Sequence, residues 1–152
     1  MVTLKRTTSE HKDFIDLVTL LDSDLGKRDG AEHEFYHQFN SIVGLRYALV
    51  AYLGAKPLGC GAIKEFDSTS MEVKRMYVLP EARGQGLATL ILKELEKWAA
   101  ALNYRNCVLE TGRRQPEAIA LYTKNGYNII PNYGQYEGVK NSICFQKTIL
   151  RV

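Results

Sequence analysis

A strand-like apolar run ending at Val78 passes through Leu79-Pro80-Glu81-Ala82-Arg83-Gly84-Gln85-Gly86 into a helical pattern that starts near Leu87. A strand joined to an amphipathic helix by a basic, glycine-containing turn leaves few options, because the helix must pack back on the sheet with its first turn at the strand's carboxyl end. In that turn four backbone N–H groups lack intrahelical partners, and the macrodipole adds roughly half a positive charge, so a phosphate can settle there. Gly84 and Gly86 withhold the Cβ atoms that would hold an anion off. The same string also serves as a plain packing turn, and the rest of the chain decides between the two.

The chain has 152 residues, a length that fits one domain spanning residues 1–152 and leaves no room for separate cofactor and substrate domains. Hydrophobic residues make up 45% and charged residues 24%, the balance of a globular protein without low-complexity segments. No run reaches the roughly 18 apolar residues of a membrane helix, and Met1 to Arg6 lacks a signal-peptide core, so a cytoplasmic protein with no membrane partner is expected. A net charge of +3, without a basic stripe and interleaved aromatics, excludes nucleic acid as the expected partner and suits an anionic small ligand. Cys60, Cys107 and Cys144 contain no C-x-x-C pair and sit in apolar runs, as buried reduced thiols do.

Periodicity gives the order of elements. Val2 to Arg6 reads as a strand, and Ser9 as the N-cap of a helix carrying Phe14, Leu17, Val18, Leu21 and Leu25 on one face, with breaks at Gly26 and Gly30. A second helix is expected over Ala31 to Asn40. Three strands follow, Tyr47 to Leu53, Leu58 to Phe66 and Met71 to Val78, with Gly54-Ala55 as a hairpin turn between the first two. Leu87, Leu90, Ile91, Leu95, Trp98 and Leu102 recur at helical spacing from Gln85 to Leu102, and Asn103 marks the stop. Cys107 to Thr111 reads as a strand, Pro116 to Asn125 as a helix closed by Gly126, and one or two strands end the chain, the last from Ser142 to Leu150. This order predicts an α/β fold: a mixed, mostly antiparallel sheet of six to seven strands flanked by about four helices, with ligands at the carboxyl ends of the parallel strands.

The turn reads Arg83-x-x-Gly86-x-Ala88, and Ala118-Ile119-Ala120-Leu121-Tyr122-Thr123-Lys124-Asn125-Gly126-Tyr127 follows one strand later. Together with the element order, these segments resemble the GNAT superfamily of N-acyltransferases over essentially the whole chain. Its pyrophosphate loop follows Gln/Arg-x-x-Gly-x-Gly/Ala, and its second signature is Ala-x-x-x-Tyr-x-x-x-Gly-Phe/Tyr. The resemblance implies acetyl-CoA as co-substrate and no metal. It implies that the backbone of Arg83, Gly84, Gln85, Gly86, Leu87, Ala88 and Thr89 cradles the pyrophosphate. Met76, Tyr77 and Val78 would pair with the pantetheine arm, whose amides mimic a peptide strand. Tyr122 is implied as the general acid for the departing thiolate. The family often has Asn seven residues before that tyrosine, contacting the cofactor; this chain departs from the pattern with Gln115, a candidate at that position whose side-chain contact the resemblance does not carry over, while the cradle is unaffected.

An acceptor amine with a pKa near 10.4 must lose a proton, at a cost of about 4–5 kcal/mol at neutral pH, so a carboxylate or a water held by one is required. Glu72, six residues before Val78, and Glu110, at the end of the crossover strand, are the two candidates. Either could be structural instead, Glu72 paired with Lys74 along one strand face, or Glu110 capping a turn. His33-Glu34-Phe35-Tyr36-His37 spells H-E-x-x-H, but the extended zinc motif wants a histidine six residues on, where Val43 stands, and His11 precedes the motif. His33 and His37 are therefore read as lining the acceptor cleft, or as one solvated face. Tyr133 and Tyr136, in the loop before the last strand, are candidates to cover the acceptor, to form a dimer contact, or to make an ordinary turn. Arg113 and Arg114 either reach a phosphate or are solvated.

The expected activity is acetyl transfer from acetyl-CoA to the primary amine of a small molecule, by direct attack in a ternary complex. A protein lysine or N-terminus as acceptor and a non-catalytic acyl-CoA-binding module are the alternatives. A homodimer is compatible with either.

Overall fold

The computed structural model describes residues 1–30 and 41–150. The helix expected over Ala31 to Asn40, with His33 and His37, lies outside the described residues. The elements are β1 (Val2–Thr7), α1 (Lys12–Asp29), β2 (Tyr47–Leu53), β3 (Lys56–Glu65), β4 (Ser70–Val78), α2 (Leu87–Ala101), β5 (Asn106–Gly112), α3 (Pro116–Lys124), β6 (Asn128–Ile130) and β7 (Ser142–Thr148). The strands form one 7-stranded sheet in the order β1-β2-β3-β4-β5-β7-β6. Only β4 and β5 run parallel, and α2 makes the crossover between them.

Several local expectations are corrected. The N-cap of α1 is His11, whose Nδ1 accepts from the Asp13 N–H at 3.2 Å, whereas the Ser9 N–H donates to the Leu45 carbonyl. The helix runs through Gly26 and ends at Gly30, because tertiary packing of Leu21 and its neighbours outweighs the roughly 1 kcal/mol that an interior glycine costs. Residues 85 and 86 precede α2, whose N-cap is Gly86. Two strands follow α3, within the one or two expected; β6, only 3 residues long, is too short for periodicity to mark. Asn103, at φ 71, does stop α2, and Gly54-Ala55 makes the tight turn between Leu53 and Lys56.

Alternation of side chains sorts the sheet into two faces. On one, α2 and α3 cover Leu49, Ile63, Met71, Val73, Cys107, Leu109 and Phe145. On the other, α1 covers Ala48, Val50, Cys60, Ala62 and Tyr77 through Phe14, Leu17, Val18 and Leu21. The far end of that second face is roofed by the loop before β7, where Tyr136, Tyr133 and Val139 pack with Cys144 and Ile130. All three cysteines are buried and reduced, and burial pushes the Cys60 and Cys107 thiols up to about 12 and the Cys144 thiol to about 11. They are inert packing groups.

One irregularity shapes everything that follows. Cys60 pairs with Tyr77 but Ala62 pairs with Lys74, so β4 carries a bulge at Arg75-Met76 opposite Gly61. Arg75 sits at φ 58, a left-handed conformation that costs a non-glycine residue on the order of 1 kcal/mol. A Cβ on Gly61 would meet Met76 Sδ at 2.7 Å, so the glycine makes the space into which the bulge settles. β4 and β5 part just before the bulge: their pairing consists of Ser70↔Asn106, Met71↔Cys107 and Glu72↔Val108, while β4 runs on to Val78 and β5 to Gly112.

Candidate active site

The parting strands enclose a cavity of about 390 Å³, within the usual size of a small-molecule site. Its walls are the lengths of β4 (Val73 to Val78) and β5 (Glu110 to Gly112) that no longer pair with each other, the turn and first residues of α2, the face of α3 that carries Ala118, Leu121 and Tyr122, and Leu21, Asp24 and Leu25 of α1. A sheet split between adjacent parallel strands leaves backbone groups of β4 without a strand partner, and an extended chain with amide groups can take that place.

At the carboxyl end of β4 the chain turns through a 3-10 segment, Pro80–Ala82, into Gly84 and Gly86, which sit at φ 81 and φ 78. Nothing lies within 4 Å of where a Cβ would stand on either, so within the protein the demand for glycine comes from backbone conformation and not from crowding. The intrahelical ladder of α2 begins with Leu90 N–H donating to the Gly86 carbonyl at 3.1 Å. The amides of Leu87, Ala88 and Thr89 are thus left for an external acceptor, and the first turn holds no acidic side chain to compete for them. Arg83 is exposed but tethered: its Nε donates to the Val78 carbonyl at 2.9 Å, and its guanidinium lies over the Tyr77 ring. It pins the turn to the end of β4.

Of the expected cofactor contacts, Met76, Tyr77, Val78, Arg83, Gly84, Gly86, Leu87, Ala88, Thr89 and Gln115 all line the cavity. Gln85, between the two glycines, does not. Arg113 is turned away, with its Nε donating to the Lys140 carbonyl at 2.6 Å.

At the inner end of the split, side chains from both faces converge. Tyr122 comes from α3, packed against Tyr127 and Phe145, and is only 6% exposed. Burial, with the Glu110 charge adding to it, holds its phenol above the ordinary range, so it is fully protonated at neutral pH. Glu72 and Lys74 alternate with Met71 and Val73, and Glu110 follows Leu109, which places all three on the opposite face, between α1 and the roofing loop. Glu72 is held at both oxygens: Oε2 accepts from Tyr133 Oη at 2.7 Å, and Oε1 lies 3.9 Å from Lys74 Nζ. Burial pulls the Lys74 ammonium below its ordinary pKa against the opposing pull of Glu72. Tyr136 lines the cavity, and burial together with Glu110 and Glu72 raises its phenol. Tyr133 is not itself a wall of the cavity; it acts on Glu72 from behind, with its ring against Phe66 at 4.6 Å.

The structure therefore brings Tyr122, Glu72, Glu110 and Tyr136 to one cavity, with Tyr133 one bond removed. Sequence reasoning missed the contribution of α1, the bulge residue Arg75 and the Tyr133–Glu72 bond. The first two carry no local signal, while the third joins residues far apart in sequence. Among the described residues no cluster of His, Cys, Asp and Glu could hold a metal ion, and no helix is long and apolar enough to cross a membrane.

Comparison with known proteins bears on the same cavity. Residues 14–127, which include the whole turn and Tyr122, match the model of the Acetyltransferase (GNAT) family. The chain is 32% identical over 151 residues to an IAA acetyltransferase of Azospirillum brasilense, covering 97% of this chain and 98% of that protein. A crystal structure from Klebsiella pneumoniae, assigned to the acyl-CoA N-acyltransferases, shares its fold at a TM-score of 0.83 and 29% identity, covering 99% of both chains. A GNAT family acetyltransferase from Elizabethkingia anophelis with acetyl-CoA bound has the same fold at a TM-score of 0.71 and 19% identity, covering 97% of each chain.

Proposed function

Because the chain belongs to the GNAT family of N-acetyltransferases, we propose that it moves acetyl from acetyl-CoA to the primary amine of a small molecule, by direct attack in a ternary complex. The observation that carries this reading is the split between β4 and β5. It has a phosphate seat at its outer end and a protonated phenol facing carboxylates at its inner end. The relative that matches the chain nearly end to end is named for acetylating IAA, which favours a small acceptor over a protein one. The whole chain, residues 1–152, works as one domain in this account.

Acetyl-CoA supplies the acyl group and a thiol leaving group. The Arg83 N–H is spent on the Pro80 carbonyl at 3.3 Å, so the amides of residues 84–89 hold the pyrophosphate, and Met76, Tyr77 and Val78 offer their backbone to the pantetheine arm in place of a β5 partner. Gln115, at the start of α3, donates or accepts along the same arm. On the other face the acceptor nitrogen enters between α1 and the Tyr133–Tyr136 loop and meets Glu72 and Glu110, one of which takes its proton directly or through water. The nitrogen then forms a bond to the thioester carbonyl carbon as the carbon–sulfur bond breaks. Tyr122 hydrogen-bonds the sulfur as charge develops on it. Since its raised pKa makes the phenol a weaker acid than a thiol, Tyr122 passes on its own proton only in exchange for the one released by the acceptor.

A thiol-release assay of the purified protein with acetyl-CoA against a broad amine panel, with lysine and N-terminal peptides included, tests this reading. Release with small amines well above that with peptides supports it. Equal turnover of peptides would move the acceptor to proteins, and tight CoA binding without release would make the chain an acyl-CoA-binding module.

A further inference from the structure

The bulge lies in the length of β4 that has parted from β5, and it is held from α1. Arg75 is buried, its side chain only 2% exposed, and its Nη2 is paired with Asp22 Oδ1 on α1. Its carbonyl accepts from Cys60 Sγ at 3.4 Å. A left-handed arginine persists in a strand only where its surroundings over-determine it, and among the described residues Arg75 forms its ion pair with Asp22. Two turns further along α1, Arg28 pairs with Asp24 and with Glu117 at the start of α3. The last turns of α1 are thus fastened to both banks of the split, to β4 through a buried pair and to α3 through an exposed one, with Leu21, Asp24 and Leu25 facing the cavity between them.

We propose that Asp22 and Arg75 are positioning residues: their ion pair fixes the β4 bulge, and so the spacing between the Met76–Val78 edge and α3 that receives the acyl-CoA arm. Neither residue touches the reacting atoms in this account. The inference rests on acyl-CoA occupying the split, as proposed above. An alternative is that the pair only stabilises the fold, which would leave cofactor affinity untouched in whatever protein stays folded.

Arg75→Gly separates the two, because glycine adopts φ 58 without strain while the anchor to α1 is lost. Asp22→Asn removes the charge and keeps the shape, and Arg75→Lys can still reach Asp22 with a single ammonium. Each variant is assayed for CoA affinity by titration calorimetry, for the KM of acetyl-CoA against kcat, and for thermal melting. Arg75→Gly is expected to bind CoA about fivefold or more weakly, with the KM for acetyl-CoA rising by a similar factor, kcat changing less, and partial recovery in Arg75→Lys. Unchanged CoA affinity in folded Arg75→Gly, or a lower melting temperature with unchanged affinity in all three variants, overturns the positioning role. Should Arg75→Gly not fold, Asp22→Asn decides by the same readouts. Failure of the wild-type protein to bind CoA would instead overturn the proposed function and this inference with it.

Discussion

Tyr133 Oη donates a 2.7 Å hydrogen bond to Glu72 Oε2, tying the loop before β7 to the strand that leads into the glycine turn. Burial, then the Glu72 charge, holds the Tyr133 phenol well above its ordinary pKa, so the proton stays on the tyrosine and the bond has one direction. A carboxylate held by a phenol and a lysine is fixed in place for an incoming ammonium. Tyr133→Phe is expected to lower kcat/KM for the amine about tenfold, the usual worth of a hydrogen bond to a charged group, and to leave the KM for acetyl-CoA unchanged. Added to Glu72→Gln it should cost little more, and fully additive losses in the double-mutant cycle would show that the two act separately.

Tyr122 stands on the other side of the split, and its substitution should affect the chemical step alone. Tyr122→Phe is expected to reduce kcat about 10²-fold while calorimetry finds the same CoA affinity as in the parent. Full turnover with a good acceptor would remove Tyr122 from the mechanism.

The glycine turn makes a separate prediction, because Gly84 and Gly86 have positive φ but open space around the missing Cβ. Alanine at either position should destabilise the fold by about 1 kcal/mol through backbone strain. It should also raise the KM for acetyl-CoA, since the amides would no longer converge, and leave kcat at saturating acetyl-CoA within a few-fold of the parent. An unchanged KM would mean that the turn only packs α2 on the sheet.

Alkaline pH offers a test with a defined sign. Tyr122, Tyr127, Tyr133 and Tyr136 are all raised from the ordinary 10.0, with burial the largest cause for each. A group whose folded pKa lies above its unfolded one contributes stability that is fully present below the unfolded value and is lost as pH rises through the folded value. The phenols should therefore leave stability flat up to about pH 9.5 and make it fall steeply above pH 10. Denaturant unfolding followed across that range checks this, and Tyr127→Phe, whose hydroxyl donates to Glu96 at 2.9 Å, should flatten the fall.

Much of this was legible in the sequence because it depends on backbone or period. Tyr47–Leu53 has the expected bounds, and the proposed phosphate seat needs only a strand, two glycines and a helix start. Tyr122 was placed by a motif that spaces it from Gly126 and Tyr127. What the sequence hid depends on pairing between distant segments. Arg75 looks like one more residue of an alternating strand until Gly61 on the neighbouring strand and Asp22 on α1 are brought against it. Tyr133 reads equally as a cover for the acceptor, a dimer contact or part of a turn, and Lys74 as a structural partner of Glu72; the fold gives Glu72 both, one on each oxygen. Ser9 is a reasonable cap by residue type, yet His11 takes the role two residues later while the Ser9 backbone is drawn to Leu45.

The central claim is that acyl-CoA lies in the β4–β5 split, with its thioester at Tyr122 and its pyrophosphate on the glycine turn. A crystal structure of the protein with CoA tests this most directly. The account predicts the thiol sulfur within about 4 Å of Tyr122 Oη, the pyrophosphate on the amides of residues 84–89, and the pantetheine arm along Met76 to Val78. CoA bound outside the split, or lying in it with its sulfur directed away from Tyr122, would contradict the account.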